Sequence, residues 1–174
     1  LRGASVTIYC ADWQGEQPDN IAVNKIDVLG LSNHRRNRNF SEALRSRLQG
    51  ENYDLLVGFN KMPGLDIYYA ADTCFKAKVM QERFALLQFL PRYRQYLRDE
   101  AAVFGVGSTT KILAIAERSV DEYEQYYYGA KNRCTVLPPG INPDRRAGDN
   151  AAAIRQAFRS EWQLRENDRL ALMI

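Results

Sequence analysis

One histidine in 174 residues, three widely spaced cysteines and no long apolar run remove several chemistries at the outset. His34 has no second imidazole with which to share a metal, and no Gly-x-Ser-x-Gly turn is present, so zinc and serine hydrolysis lack their components. Cys10, Cys74 and Cys134 are odd in number and show no Cys-x-x-Cys spacing, which offers neither a disulfide framework nor a zinc site and fits a reducing cytoplasm. No run approaches the roughly 18 apolar residues that span a bilayer, and no basic-then-apolar leader opens the chain. Any membrane contact is therefore expected from the surface. Gly105-Val106-Gly107-Ser108-Thr109-Thr110-Lys111 matches neither phosphate-loop pattern and precedes a strand pattern rather than a helix, so it reads as an ordinary glycine turn. His34, among Asn33, Arg35, Arg36 and Arg38, reads as part of a solvated basic loop.

What is present is enough for one domain with a real core: 45% hydrophobic residues, 26% charged, and a mild formal charge of +3. Short β-rich runs recur at Val6 to Cys10, Ile26 to Leu29, Asp54 to Phe59, Ile67 to Ala70, Ile112 to Ala116 and Thr135 to Leu137. Between them, Phe40, Leu44 and Leu48 at i, i+4, i+8 before Gly50 predict a helix over 40–49. Ser119-Val120-Asp121-Glu122 reads as a capping box opening a second helix that buries Val120, Tyr123 and Tyr127. Alternating strands and helices predict an α/β fold with a mainly parallel sheet, whose ligands bind beyond the carboxyl ends of the strands.

Pro138-Pro139-Gly140 and the polar stretch that follows set a domain boundary, giving 1–141 and 142–174. In the second part a helix over 151–164 carries Ile154, Phe158 and Trp162 in i+4 steps, leading to an apolar strand pattern over 170–174. A chain that opens on Leu1-Arg2-Gly3 and stops within a strand pattern reads as an internal fragment.

Val57 to Cys74 places polar residues after two successive strands. Together with Asn33-His34-Arg35-Arg36-Asn37 upstream and Leu137-Pro138-Pro139-Gly140-Ile141 downstream, this run resembles the lipopolysaccharide core glucosyltransferases of the WaaG type, within family-4 retaining glycosyltransferases. The resemblance is collinear over nearly the whole chain. It implies a GT-B fold, two Rossmann-like domains across a cleft, of which this chain supplies most of the N-terminal, acceptor-binding one, truncated at both ends. By that resemblance the first strand and glycine-rich loop precede Leu1, and residues after 141 begin the nucleotide-sugar domain. The implied reaction transfers glucose or a related hexose from a UDP-sugar, without metal, to an inner-core heptose with retention. The fragment alone is expected to be inactive.

Asp72 matches the family aspartate beside the reaction centre. A carboxylate there can accept a proton or hydrogen bond from an acceptor hydroxyl or stabilise positive charge on the anomeric carbon; as a residue directly before a helical pattern, it equally suits an N-cap. Asn60 and Lys61, after the strand over 54–59, are acceptor contacts by resemblance and a capped, solvated turn by their own pattern. From Phe75 to Phe104, six basic residues (Lys76, Lys78, Arg83, Arg92, Arg94 and Arg98) against three acidic ones alternate with apolar side chains, Phe84 among them, and Pro91 separates two helices. The segment suits an anionic bilayer surface, the lipid acceptor's location, or a core-packed helix with a solvated basic face. The implied protein is cytoplasmic and peripheral on the inner membrane. The alternative is a non-catalytic basic module for RNA or acidic lipid, built on Arg35, Arg36, Arg38, Arg45, Arg47 and the same segment; no RNA-recognition signature supports it, and no nucleic acid is expected.

Overall fold

Every strand pairing in the computed structural model, which describes residues 3–81, 89–140 and 148–170, is parallel. In chain order the elements are β1 (Val6–Cys10), β2 (Ile21–Lys25), α1 (Asn33–Leu48), β3 (Val57–Gly58), β4 (Ile67–Ala70), α2 (Phe75–Gln81), α3 (Pro91–Phe104), β5 (Lys111–Ala114), α4 (Glu117–Tyr126), a short 3-10 turn (Lys131–Arg133), β6 (Cys134–Val136) and α5 (Ala151–Glu161). β1 and β2 form one pair; β3, β4, β5 and β6 form a second sheet in that order. Helical crossovers between β4, β5 and β6 are what parallel pairing requires. The chain divides into two compact units, Leu1–Pro138 and Pro139–Ile174. In the second, Phe158 stacks on Trp162 at 5.8 Å along α5; residues 171–174, the expected final strand, lie outside the described residues.

Several expectations shift. The second strand occupies Ile21–Lys25 rather than 26–29, because pairing in register with all five residues of β1 outweighs the more apolar run beyond it. Ile26 still closes the pair, its amide donating to Cys10 O at 2.9 Å, whereas Leu29 and Leu31 lie exposed. α1 begins seven residues before Phe40, so His34 stands in its first turn, not in a loop. The arginine-rich start has no apolar periodicity, yet arginine is a good helix former. α4 starts at Glu117 after Ala116, which places Ser119 inside the first turn instead of at the cap.

The core of the first unit is aromatic. Phe104 at the end of α3 stacks on Tyr123 at 4.1 Å and Tyr127 at 5.8 Å, and meets Tyr68 of β4 edge-on. Val120, Tyr123 and Tyr127 are buried, as the pattern predicted. Arg133 sews this core to the sheet: its guanidinium donates to the carbonyls of Val103, Phe104, Gly105 and Thr110, which answers the orphan acceptors at the C-terminus of α3. Gly105, with its amide on Ala101 O, ends that helix as an ordinary turn.

Tyr68 is fully buried and its hydroxyl has no hydrogen-bond partner among the described residues. An orphaned buried polar group costs about 1–3 kcal/mol, so Tyr68→Phe is expected to match or exceed the wild-type stability by about 1 kcal/mol in urea denaturation. A clear loss of stability would show that the hydroxyl is engaged.

Candidate acceptor-side site

β3 and β4 run side by side, Val57 opposite Ile67 and Gly58 opposite Tyr68, so their carboxyl ends open at the same place. The close fit there depends on Gly58, where an added Cβ would lie 2.4 Å from Leu65 Cδ1. Phe59, Asn60 and Lys61 leave one strand; Ala71, Asp72 and Thr73 leave the other. Asn60, Lys61, Asp72 and Thr73 all line one cavity of about 1350 Å³, together with Arg36 and Asn37 of α1, Lys78 of α2, and Tyr96 and Asp99 of α3.

Asp72 is exposed, and its carboxylate takes no hydrogen bond among the described residues; only its backbone carbonyl is engaged, accepting from Tyr123 Oη at 2.5 Å. It does not cap α2. That duty falls to carboxylates from elsewhere in the fold: Glu122 of α4 accepts from Cys74 N at 3.2 Å, and Glu100 of α3 accepts from Phe75 N at 2.7 Å and Lys76 N at 2.8 Å. The N-cap reading of Asp72 is thereby corrected, and Glu122 is found serving α2 rather than a capping box in its own helix.

Glu100, which the sequence reading passed over, is the most connected group here. At zero accessibility it also accepts from Lys61 Nζ at 2.6 Å, Tyr127 Oη at 2.9 Å and the Cys74 thiol at 3.5 Å. Lys61 Nζ donates in addition to Thr73 O at 3.0 Å, and its side chain is only 13% exposed. The Lys61 ammonium is thus held inward, which leaves Asn60, exposed beside it, as the freer polar group on that loop. The burial of a carboxylate was legible in one respect: Glu100, Val103 and Phe104 share one helical face at i, i+3, i+4.

Burial, with the Glu100 charge beside it, pushes the Cys74 thiol up to about 12 from its ordinary 9.0. Burial likewise raises the phenols of Tyr68, Tyr123 and Tyr127 above 10.0, with Asp72 acting next on Tyr68, the Tyr68 phenol next on Tyr123, and Glu100 next on Tyr127. Because the unfolded chain loses these protons first, it binds fewer of them than the folded one, and stability falls as pH rises. The protein is therefore expected to be insensitive to these groups below pH 9 and to destabilise progressively above it, toward pH 12 for Cys74. Urea midpoints measured from pH 7 upward test this, and a flat profile would contradict the burial of these groups.

The basic segment divides. Lys76 turns inward, its ammonium on Tyr126 O at 3.0 Å and over the Tyr127 ring at 4.8 Å, and so does not serve the surface. Lys78, Arg92, Arg94 and Arg98 are exposed. Beside them Met80, Phe89 and Leu90 expose apolar surface. Pro91 opens α3 as expected, and Val103, Phe104 and Glu100 bury its far end, so this helix is core-packed at one end and solvent-facing at the other. Arg83 and Phe84 lie outside the described residues. Among the described residues no cluster of metal-binding side chains occurs, and no helix is long and apolar enough to cross a membrane.

Comparison with known proteins agrees with this architecture. The chain is 34% identical over 173 residues to the lipopolysaccharide glucosyltransferase WaaG of Escherichia coli (strain K12), covering 99% of this chain and 46% of that protein. It therefore spans about half the length of that relative. The crystal structure of WaaG, a glycosyltransferase involved in lipopolysaccharide biosynthesis, superimposes with a TM-score of 0.82 over 97% of this chain and 45% of that one, at 34% identity. The parallel sheets are accordingly those of a Rossmann-like N-terminal domain of the GT-B type. The glycosyltransferase family 4 model matches residues 2–145, and the chain belongs to that family.

Proposed function

We propose that the full-length protein carrying this chain is a hexosyltransferase of lipopolysaccharide core assembly. It moves glucose or a related hexose from a UDP-sugar to an inner-core heptose, with retention and without a metal. The observation that carries this reading is the free carboxylate of Asp72 on the wall of a cavity at the carboxyl ends of β3 and β4, in a family-4 chain similar to WaaG. There it would accept a hydrogen bond from the attacking acceptor hydroxyl or stabilise positive charge on the anomeric carbon. Asn60 orients acceptor hydroxyls. Lys61 acts mainly by holding the loop, since its ammonium is already engaged. Residues 1–141 form the acceptor side, and those from 142 onward begin the domain that binds the UDP-sugar.

The direct test is transfer of labelled hexose from UDP-glucose to purified inner-core acceptor, with product anomers read by NMR and the assay repeated in EDTA. Lack of transfer from any UDP-hexose would refute the reading. Inversion would refute its stereochemistry, and loss of activity in EDTA its metal independence.

The protein works at the cytoplasmic face of the inner membrane, docked by the exposed cations Lys78, Arg92, Arg94 and Arg98 and by the neighbouring Phe89 and Leu90. Juxtamembrane cations contribute about 1 kcal/mol each and are screened by salt. Flotation with vesicles containing acidic lipid is expected to recover more protein than with neutral vesicles, and less as salt rises. Equal recovery from both would leave α3 as a helix with a merely solvated face.

A further inference from the structure

We infer that the buried Lys61–Glu100 ion pair is a positioning device for transfer: without touching substrate, Glu100 sets the placement of the two loops that carry Asn60 and Asp72. The inference rests on the transferase reading above.

Glu100 has no accessible surface, so no substrate can reach it. Its reach into the site runs through backbone and one lysine. Through Lys61 it fixes the residue after Asn60; the same ammonium fixes the carbonyl of Thr73, the residue after Asp72. Through the amides of Phe75 and Lys76 it fixes the start of α2, immediately downstream. One carboxylate thus joins the carboxyl ends of β3 and β4 to a third element, α3.

Two physical points separate this from simple stabilisation. A buried ion pair is a poor device for stability, since apolar residues of similar volume often do as well; here its directional contacts tie Lys61, Phe75 and Lys76 to one carboxylate, which apolar residues could not do. Moreover, the first helical bond of α2 runs from Lys78 N to Cys74 O at 3.2 Å, so the N-cap position falls on Cys74, whose thiol turns to Glu100, and Asp72 and Thr73 stand ahead of the cap. With Glu100 and Glu122 capping from other helices, the Asp72 carboxylate is left without a donor and lines the cavity. The start of α2 thus draws on remote carboxylates and makes no use of the Asp72 charge.

The test uses the full-length enzyme with three variants. Glu100→Asp keeps the charge but shortens the arm; Lys61→Met removes the tie between loops; Val103→Ala, a buried position on the same helix, supplies a loss of stability unrelated to the loops. Positioning predicts that Glu100→Asp and Lys61→Met each lower acceptor-dependent kcat by about tenfold or more per folded molecule, with the donor KM unchanged, because misplacements near 1 Å cost that much and more. Val103→Ala keeps its turnover. If Glu100→Asp retains wild-type kcat, or if Val103→Ala loses as much at equal loss of Tm, the pair is only structural and the proposal fails. Should Glu100→Asp not fold, Lys61→Met decides: faster amide exchange at Phe75 and Lys76 alongside lost turnover supports positioning, and unchanged exchange overturns it. Absence of transfer by the wild-type enzyme would overturn the transferase reading itself, and this proposal with it.

Discussion

In the full-length enzyme, Asp72→Asn is expected to lower turnover about 100-fold or more, roughly 2.7 kcal/mol of transition-state stabilisation, while the melting temperature and nucleotide binding stay unchanged. The substitution is almost isosteric and removes only charge and proton-accepting capacity. Because α2 is capped by Glu100 and Glu122 rather than by Asp72, the more drastic Asp72→Ala is also expected to fold normally. The two variants should therefore share one phenotype, lost kcat at constant Tm. Steady-state assays with the native lipid acceptor, paired with thermal melts, provide the check. Near-normal turnover in Asp72→Asn would withdraw the catalytic role, and a large drop in Tm would mean that the carboxylate has a structural partner after all.

The largest expected effect on stability comes from Glu100→Ala. It strands the Lys61 ammonium in a site where its side chain is 13% exposed and leaves two helix-start amides, a phenol and a thiol without their acceptor. Breaking a buried ion pair from one side costs about 3–5 kcal/mol, a large part of a domain's total stability. Lys61→Ala is expected to cost less, because Glu100 keeps four other donors and the lysine's carbonyl contact is near solvent. Urea denaturation of both variants would show the order. If Lys61→Ala proved the more damaging, the carboxylate would not be the centre of the network.

How far the sequence alone reached depended on whether a signal was local. β1 and β4 stand where their apolar runs placed them, and β3, β5 and β6 begin or end within a few residues of theirs, because short β-branched and aromatic runs between turns are local signals. β2 was misplaced, since its partner is chosen by register with β1 and not by its own hydrophobicity. The first turns of α1 were missed for want of an apolar stripe. The polar residues after β3 and β4 were found from the strand-end rule together with a family resemblance. What holds them was not found: Glu100 answers donors 24 to 39 residues away, and Arg133 reaches carbonyls 23 to 30 residues back, separations at which no spacing pattern survives. The capping box at Ser119 shows the converse error, a local match overridden when Glu122 found its partner 48 residues distant at Cys74.

Those same separations bear on the order in which the molecule assembles. Closing a long loop costs entropy before its contact repays it, so contacts across shorter separations form before those across longer ones. Every donor to Glu100 lies 24 to 39 residues from it in sequence, whereas β4 and β5 pair across 44 residues, Ile67 with Lys111. The rim of the cavity is therefore not a late product of folding: α2 can close on Glu100 of α3 before β4 and β5 have found each other. In pulse-labelled refolding the amides of Phe75 and Lys76 should gain protection no later than those of β4 and β5. A lesion at Glu100 would then act early, delaying the sheet as well as the site, so that slower refolding accompanies the loss of stability.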